Sequence, residues 1–269
     1  MTAPAPGAFS LLLPRRVVFG RGRAPEAISA ARAMGARILL VRSASARFAD
    51  VALADLPGAA VLTTSGEPTL PQIDAALDEA RAAPPQAVLA IGGGAAIDMA
   101  KALAALIPQP GPPMRYLEVV GDGQPLDVPP LPLIALPTTA GTGAEATKNA
   151  VIGIPEHRRK VSLRDDRMLP DLALVDPALT DDCPPGVTLA SGLDAVTQVI
   201  EPYLSCRANP LTDALCRDAI PRGLNALRSL MDTPTSKARD QMAYVSLSGG
   251  IALANAGLGA LHGLAGVLG

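Results

Sequence analysis

Short apolar runs separated by amphipathic stretches set the rhythm of the first two-thirds of the chain. The runs at 37–42, 86–91, 131–136 and 172–175 are apolar on both alternating faces. They are of strand length and of the kind buried on both sides of a parallel sheet. Shorter strands are predicted at 16–20 and 59–63. Between them the period lengthens to that of a helix. Pro25 suits a first helical turn, the helix runs over 26–34, and Gly35 stops it. Further helices are predicted near 45–56, over 70–82, and from Asp98 through Leu106. Strand and helix alternating at short intervals predict a right-handed, parallel α/β sheet. The segments 150–154 and 160–163 predict a small antiparallel pair, with Glu156-His157-Arg158-Arg159 at its turn.

Near Pro184 the pattern changes. Helical periodicity continues to the end, with helices predicted at 186–204, 211–229, 237–254 and 256–268. The boundary falls at 180–186, dividing the chain into an α/β domain over 1–183 and an all-α domain over 184–269. The uncharged stretch 249–269 is long enough, at ~20 residues, to cross a bilayer. It contains several glycines, Asn255 and His262, and lacks aromatic anchors and flanking basic clusters. A buried helical hairpin is expected there, and no membrane. The Pro-rich start over 1–14 is expected to be loose, with Phe9 and Leu11 to Leu13 tacked onto the body. It has no charged segment followed by a long apolar one, so no signal peptide is expected.

Composition narrows the function classes. The chain is 49% hydrophobic without tryptophan, so its core is built largely from Ala, Leu and Val. A net charge of −2 with scattered Lys and Arg speaks against nucleic acid as a partner. The three cysteines, Cys183, Cys206 and Cys216, have no disulfide or zinc spacing and suit a reducing, cytoplasmic setting.

The candidate chemistry lies at two strand ends and one helix. Gly92-Gly93-Gly94-Ala95-Ala96-Ile97-Asp98 follows a strand and opens a helix. Such a turn lets backbone amides approach a phosphate. It also serves as a tight turn without ligand, and its spacing is neither of the familiar dinucleotide or Walker patterns. A second loop, Pro137-Thr138-Thr139-Ala140-Gly141-Thr142-Gly143, ends the next buried strand. Two such loops at the carboxyl edge of one sheet point to a nucleotide. On the helix over 189–204, Asp194 and Gln198 stand one turn apart on one face. They suit either a cation or an internal hydrogen bond. His157 lies in a polar turn and is not expected to ligate.

Taken together, these segments resemble the iron-containing (group III) alcohol dehydrogenase family, which includes the maleylacetate reductases and is distantly related to dehydroquinate synthases. The resemblance is carried by Gly-Gly-Gly-Ala-Ala-Ile-Asp-Met-Ala-Lys at 92–101 and Leu-Pro-Thr-Thr-Ala-Gly-Thr-Gly-Ala-Glu at 136–145. Gly-Leu-Asp-Ala-Val-Thr-Gln at 192–198 and Ala-Asn-Ala-Gly-Leu-Gly-Ala-Leu-His-Gly-Leu-Ala at 254–265 add to it. It implies a Rossmann-like dinucleotide-binding domain, then a helical metal and substrate domain, in a dehydroquinate synthase-like fold. Gly93, Gly94 and Ala95 would approach the cofactor pyrophosphate, with Asp98 also at the cofactor. Thr138, Thr139 and Thr142 would contact its phosphate, ribose and nicotinamide side, and Lys160 its ribose.

The resemblance also implies NAD or NADP as cofactor, Fe2+ or Zn2+ as metal, a small alcohol or aldehyde as substrate, and a homodimer. Asp194 and His262 match metal-ligand positions and carry the catalytic expectation. Gln198 stands where the family has a His, and amide oxygen is the weaker ligand. A fourth His is expected beyond Gly269, in helices that complete the family's domain, and the proton-relay position is Gly266. Arg42, with no acid beside it at the end of the second strand, predicts tolerance of NADP. The alternatives are a truncated, catalytically impaired nucleotide-binding relative, or a maleylacetate reductase-like enzyme.

Overall fold

A computed structural model describes residues 7–268, with side chains through Ala265. The Pro-rich residues 1–6 and Gly269 lie outside it, as does the packing around Gly266. Six parallel strands form the main sheet: β1 (Arg16–Phe19), β2 (Ile38–Ser43), β3 (Ala60–Thr64), β4 (Ala87–Gly92), β5 (Leu133–Pro137) and β8 (Leu172–Val175). Their spatial order is β1-β8-β5-β4-β2-β3. Helices α1 (Pro25–Met34), α2 (Phe48–Asp55), α3 (Leu70–Ala82) and α4 (Gly94–Leu106) alternate with the early strands.

Side chains alternate across each strand, and both faces of this sheet are covered. Leu39, Val41, Val88 and Ala90 pack with Ile73, Leu77, Leu103 and Leu106 of α3 and α4. Leu40, Leu89, Ile91 and Leu136 face the other way, onto Ala27, Ile28 and Ala31 of α1 and Ala49 of α2. Each such burial stabilises the fold by about 1.5–3 kcal/mol for a large aliphatic side chain. The small alanines let the helices lie close.

β6 (Asn149–Ile154) and β7 (Arg159–Arg164) form a separate antiparallel pair. From Pro185 onward every regular element among the described residues is a helix: α5 (Pro185–Tyr203), α6 (Pro210–Asp232), α7 (Ser236–Ala256) and α8 (Ala260–Leu268). The Asn209 side chain starts α6 by accepting from the amides of Leu211 and Thr212, with Pro210 in the first turn. Glycines bring α5, α6 and α7 together. A Cβ on Gly192 would lie 2.5 Å from Leu227 Cδ1, and one on Gly223 3.0 Å from Val196 Cγ2.

Three expectations need correction. The helix expected at 256–268 begins only at Ala260, because Gly257 turns the chain with φ +74°. The stretch 249–269 is not a buried hairpin: α7 is buried along much of its length, but Leu261 and Leu264 of α8 are each 60% exposed. The helix expected near 45–56 starts at Phe48, after a turn. Among the described residues no helix is long and apolar enough to cross a membrane. The N-terminal segment is tacked down at Leu12, whose amide and carbonyl both bond to the Asn255 side chain, at 2.6 and 2.8 Å.

Candidate functional site

The chain passes from β3 over β2 to reach β4, so the segments after β2 and β4 diverge and leave a crevice at the carboxyl edge of the sheet. Ser43 at the end of β2 closes its floor, its Oγ accepting from Gly93 N at 3.3 Å. Gly92 pairs with Pro137 across β4 and β5, which sets the two loops side by side. Thr138 N donates to Gly92 O at 2.9 Å.

Glycine is required here by crowding. A Cβ at Gly92 would lie 2.2 Å from Ser43 Oγ, and one at Gly94 2.7 Å from Thr142 Oγ1. At Gly93 the neighbour is Thr139 Oγ1, at 3.2 Å. Gly94 and Ala95 occupy the first turn of α4, where backbone amides have no partner within the helix and favour an anion. The loops thus form one surface of hydroxyls and amides.

Beneath this surface lies a buried charged cluster. Lys101, 1% exposed, donates from Nζ to Thr147 O and Thr147 Oγ1, both at 2.6 Å, and to Asn149 O at 3.2 Å. Burial pushes its pKa down, against the pull of Asp98 and Glu145. Asp98 Oδ2 accepts from Val151 N at 3.2 Å, and burial pushes its carboxyl up, against the pull of Lys101. Glu145 is also buried, its Oε1 has no partner among the described residues, and burial raises its pKa to about 7.

A carboxyl whose native pKa lies above its unfolded value binds more protons when folded, so stability falls as pH rises between the two values. For Glu145 that window runs from its ordinary 4.5 to about 7. Glu145→Gln is therefore expected to raise stability at pH 8 by about 3 kcal/mol and to leave it nearly unchanged at about pH 4.5. Urea unfolding at both pH values checks this; a variant less stable at the higher pH would show the ionised group to be favourably placed.

A cleft of about 630 Å³ separates the β6–β7 pair from the helices. Asp98, Thr142 and Lys160 line it together with Asp194, Gln198 and His262. Three of the resemblance-based cofactor positions thus share a space with the metal positions, whereas Gly93, Gly94, Ala95, Thr138 and Thr139 do not line it. Lys160 pairs there with Glu67 at 2.9 Å. Arg42 does not face that space with a free charge: its guanidinium bonds to Asp50 and to Ala46 O.

The helical wall is built on α5. Asp194, Gln198 and Glu201 follow at intervals of four and three residues and so share a stripe. His262, on α8, lies between the two acids. Its Nε2 is 3.1 Å from Asp194 Oδ1 and its Nδ1 2.5 Å from Glu201 Oε2. The hydrogen bond to Asp194 raises the His262 pKa against burial, and Glu201 adds to the rise. Burial pushes Glu201 up, but bonds from His262 and from the amides of Gly259 and Leu261 leave it below the usual range. Sequence reasoning missed Glu201, although its position on the Asp194 stripe was a usable signal.

Gln198 differs from its expected role in one respect. Its amide nitrogen donates to Thr142 O at 2.5 Å, so only Oε1 remains to ligate. Among the described residues no group of three His, Cys, Asp or Glu side chains converges on a metal position. The donors present still fit a divalent ion. Ligand atoms bonded at about 2.1 Å stand ~3.0–3.4 Å apart; the Asp194–His262 separation of 3.1 Å, here a hydrogen bond, leaves room for such an ion once Nε2 gives up its proton. Glu201 on the far nitrogen completes the carboxylate–histidine pattern that orients metal-binding imidazoles. His157 is exposed in its turn and distant in role.

Comparison with known proteins agrees with this architecture. The iron-containing alcohol dehydrogenase family pattern matches residues 14–177, and the pattern of the family's C-terminal part matches 188–269. The chain is 39% identical over 201 residues to the probable alcohol dehydrogenase EutG of Salmonella typhimurium, covering 74% of this chain and 50% of that protein. The chain thus spans about half the length of the curated relatives it matches. Its fold superposes on 1,3-propanediol oxidoreductase with a TM-score of 0.88 and 29% identity, covering 96% of this chain and 69% of that one. For the sulfoacetaldehyde reductase of Bifidobacterium kashiwanohense, solved with NAD+, the TM-score is 0.85 and the identity 29%, over 94% and 68% of the two chains. With parallel sheet, paired loops and helical wall all in the family's order, this chain belongs to the iron-containing alcohol dehydrogenases.

Proposed function

We propose that this chain forms the cofactor- and metal-binding part of an NAD(P)-dependent oxidoreductase that interconverts a small alcohol and its aldehyde or ketone. The observation that carries this reading is Thr142. Its side chain packs over Gly94 in the cofactor loop, and its carbonyl accepts the amide of Gln198 on the helical wall. One residue thus joins the cofactor surface to the metal position, as hydride transfer between cofactor and substrate requires.

In this reading Gly93, Gly94 and Ala95 hold the pyrophosphate, while Thr138, Thr139, Thr142, Asp98 and Lys160 position the ribose and nicotinamide. Asp194, His262 and Gln198 Oε1 would hold Fe2+ or Zn2+, which when bound polarises the substrate oxygen as a Lewis acid. His262 is kept in place by Glu201. The free thiols of Cys183, Cys206 and Cys216 accord with a cytoplasmic setting.

Fluorescence titration with NADH and NADPH tests the reading. Both are expected to bind, with dissociation constants within about tenfold of one another, because no acid at the end of β2 repels a 2′-phosphate and Arg42 must exchange Asp50 for it. Absence of binding by either cofactor overturns the proposal. A second reading, a nucleotide-binding relative with impaired chemistry, is favoured by Gln198. Metal analysis of the purified protein separates the two: a stoichiometric divalent ion is expected for the enzyme.

A further inference from the structure

We propose that Arg207 is an anion-binding element of the substrate site, so that the substrate is a small alcohol or aldehyde bearing a carboxylate or sulfonate at its far end. This rests on the oxidoreductase reading of the same cleft.

Four Lys and Arg side chains line the cleft, and three of them are already neutralised. Lys148 pairs with Asp166 at 2.6 Å, Lys160 with Glu67 at 2.9 Å and Arg164 with Glu118 at 3.1 Å. His262 is faced by two carboxylates of its own. Among the described residues the Arg207 guanidinium has neither an ion pair nor a side-chain hydrogen bond. Its backbone amide alone is engaged, donating to Ser205 Oγ at 3.1 Å.

Arg207 is exposed, and its guanidinium reaches over the turn between α7 and α8. It lies against Gly257, where a Cβ would stand 2.0 Å from Arg207 Nη2. Gly257 also has φ +74°, a conformation in which a side chain is strained. The backbone conformation favours glycine at this seat, which lies at the junction of α7 and α8, a few residues before His262. The three paired cations come from the β6–β7 side, whereas Arg207 follows α5 on the helical side with Asp194 and His262. A guanidinium is permanently charged, and its fork of donors matches the paired oxygens of a carboxylate or sulfonate. Bound at its far end, such a substrate would have its reacting oxygen free to reach the metal position.

The test uses the full-length protein, in two arms. In the first, kcat/KM is measured for a ladder of ω-hydroxycarboxylates against the diols of equal length, in the wild type, Arg207→Lys and Arg207→Ala. The wild type is expected to prefer the acids. In Arg207→Ala that preference should fall about 10- to 100-fold, the loss being in KM, while turnover of the diols and the NADH dissociation constant stay unchanged. Arg207→Lys should retain part of it. In the second arm, butyrate and methanesulfonate are titrated into the NADH-loaded protein, which needs no turnover. They should bind the wild type and not Arg207→Ala.

Equal losses on acids and diols, or weakened NADH binding in Arg207→Ala, would overturn the proposal, the latter by assigning Arg207 to the cofactor. Turnover of diols without any anion binding sinks it while leaving the oxidoreductase reading intact. Arg207-dependent anion binding without turnover of any alcohol upholds the anion site and refutes the oxidoreductase.

Discussion

Glu201→Gln is expected to weaken Zn2+ or Fe2+ binding about 10- to 100-fold while leaving α8 in place. Glu201, 7% exposed, has two tasks divided between its oxygens. Oε1 accepts the amide of Leu261 at 2.7 Å, and Oε2 faces His262 Nδ1 at 2.5 Å. A glutamine that keeps its oxygen on Leu261 turns its NH2 towards Nδ1. In the metal-free wild type both ring nitrogens face carboxylates and donate to them; with glutamine Nδ1 must accept, and the one proton of the neutral ring is held on Nε2. Nε2 is the nitrogen beside Asp194, and once protonated it no longer ligates. The side chain differs by one atom, yet the ring loses the acceptor that lets Nδ1 keep its proton while Nε2 ligates.

Two measurements check this. Histidine 15N chemical shifts report the tautomer, and the chain has only His157 and His262 to assign. Titration with Zn2+ reports affinity. Glu201→Ala removes the hold on Leu261 as well, so faster hydrogen exchange across α8 is expected there and not in the glutamine variant. If Glu201→Gln left both tautomer and affinity at wild-type values, Glu201 would be a helix cap and nothing more.

The second large effect is on stability. Lys101→Met should destabilise the fold by about 3–5 kcal/mol, the usual consequence of taking away the one cation on which buried carbonyls and carboxyls converge. Methionine fills nearly the same space, so the loss is electrostatic and not steric. It leaves Thr147 O and Asn149 O without their donor and Asp98 and Glu145 without their countercharge. Those contacts tie α4 to the beginning of β6, so local opening should appear first at residues 147–149. Urea unfolding gives the magnitude and amide exchange the location. A midpoint equal to that of the wild type would show that the cluster contributes nothing net.

Where local signals were complete, the sequence was legible to the residue. Helix α3 matches its expected limits, 70–82, because Thr69 and Gln72 cap its start and Pro71 sits in its first turn. β8 matches because an apolar run of that length, buried on all sides, has no competing assignment. The two loops and the stripe on α5 were found by the spacing of Gly, Thr, Asp and Gln, and His262 by resemblance. What escaped depended on contacts distant in sequence. Gly257 is one glycine among several in an apolar tract, and only the folded backbone shows that it is the one whose φ of +74° breaks the chain before α8. Lys101 stands in a helix whose only other charged residue is Asp98, and its hydrogen-bond partners lie more than forty residues away. Glu201 carried a local signal, but its meaning appears only with α8 folded against it.

The double attachment of Thr142 has a thermodynamic consequence. A cofactor pressing on its side chain and a metal drawing on Gln198 act on opposite ends of one short piece of backbone, so ordering either end lowers the entropy left to lose at the other. If the proposed sites hold both ligands, their binding would be cooperative. By linkage, whatever factor by which bound nucleotide tightens the metal must equal the factor by which bound metal tightens the nucleotide.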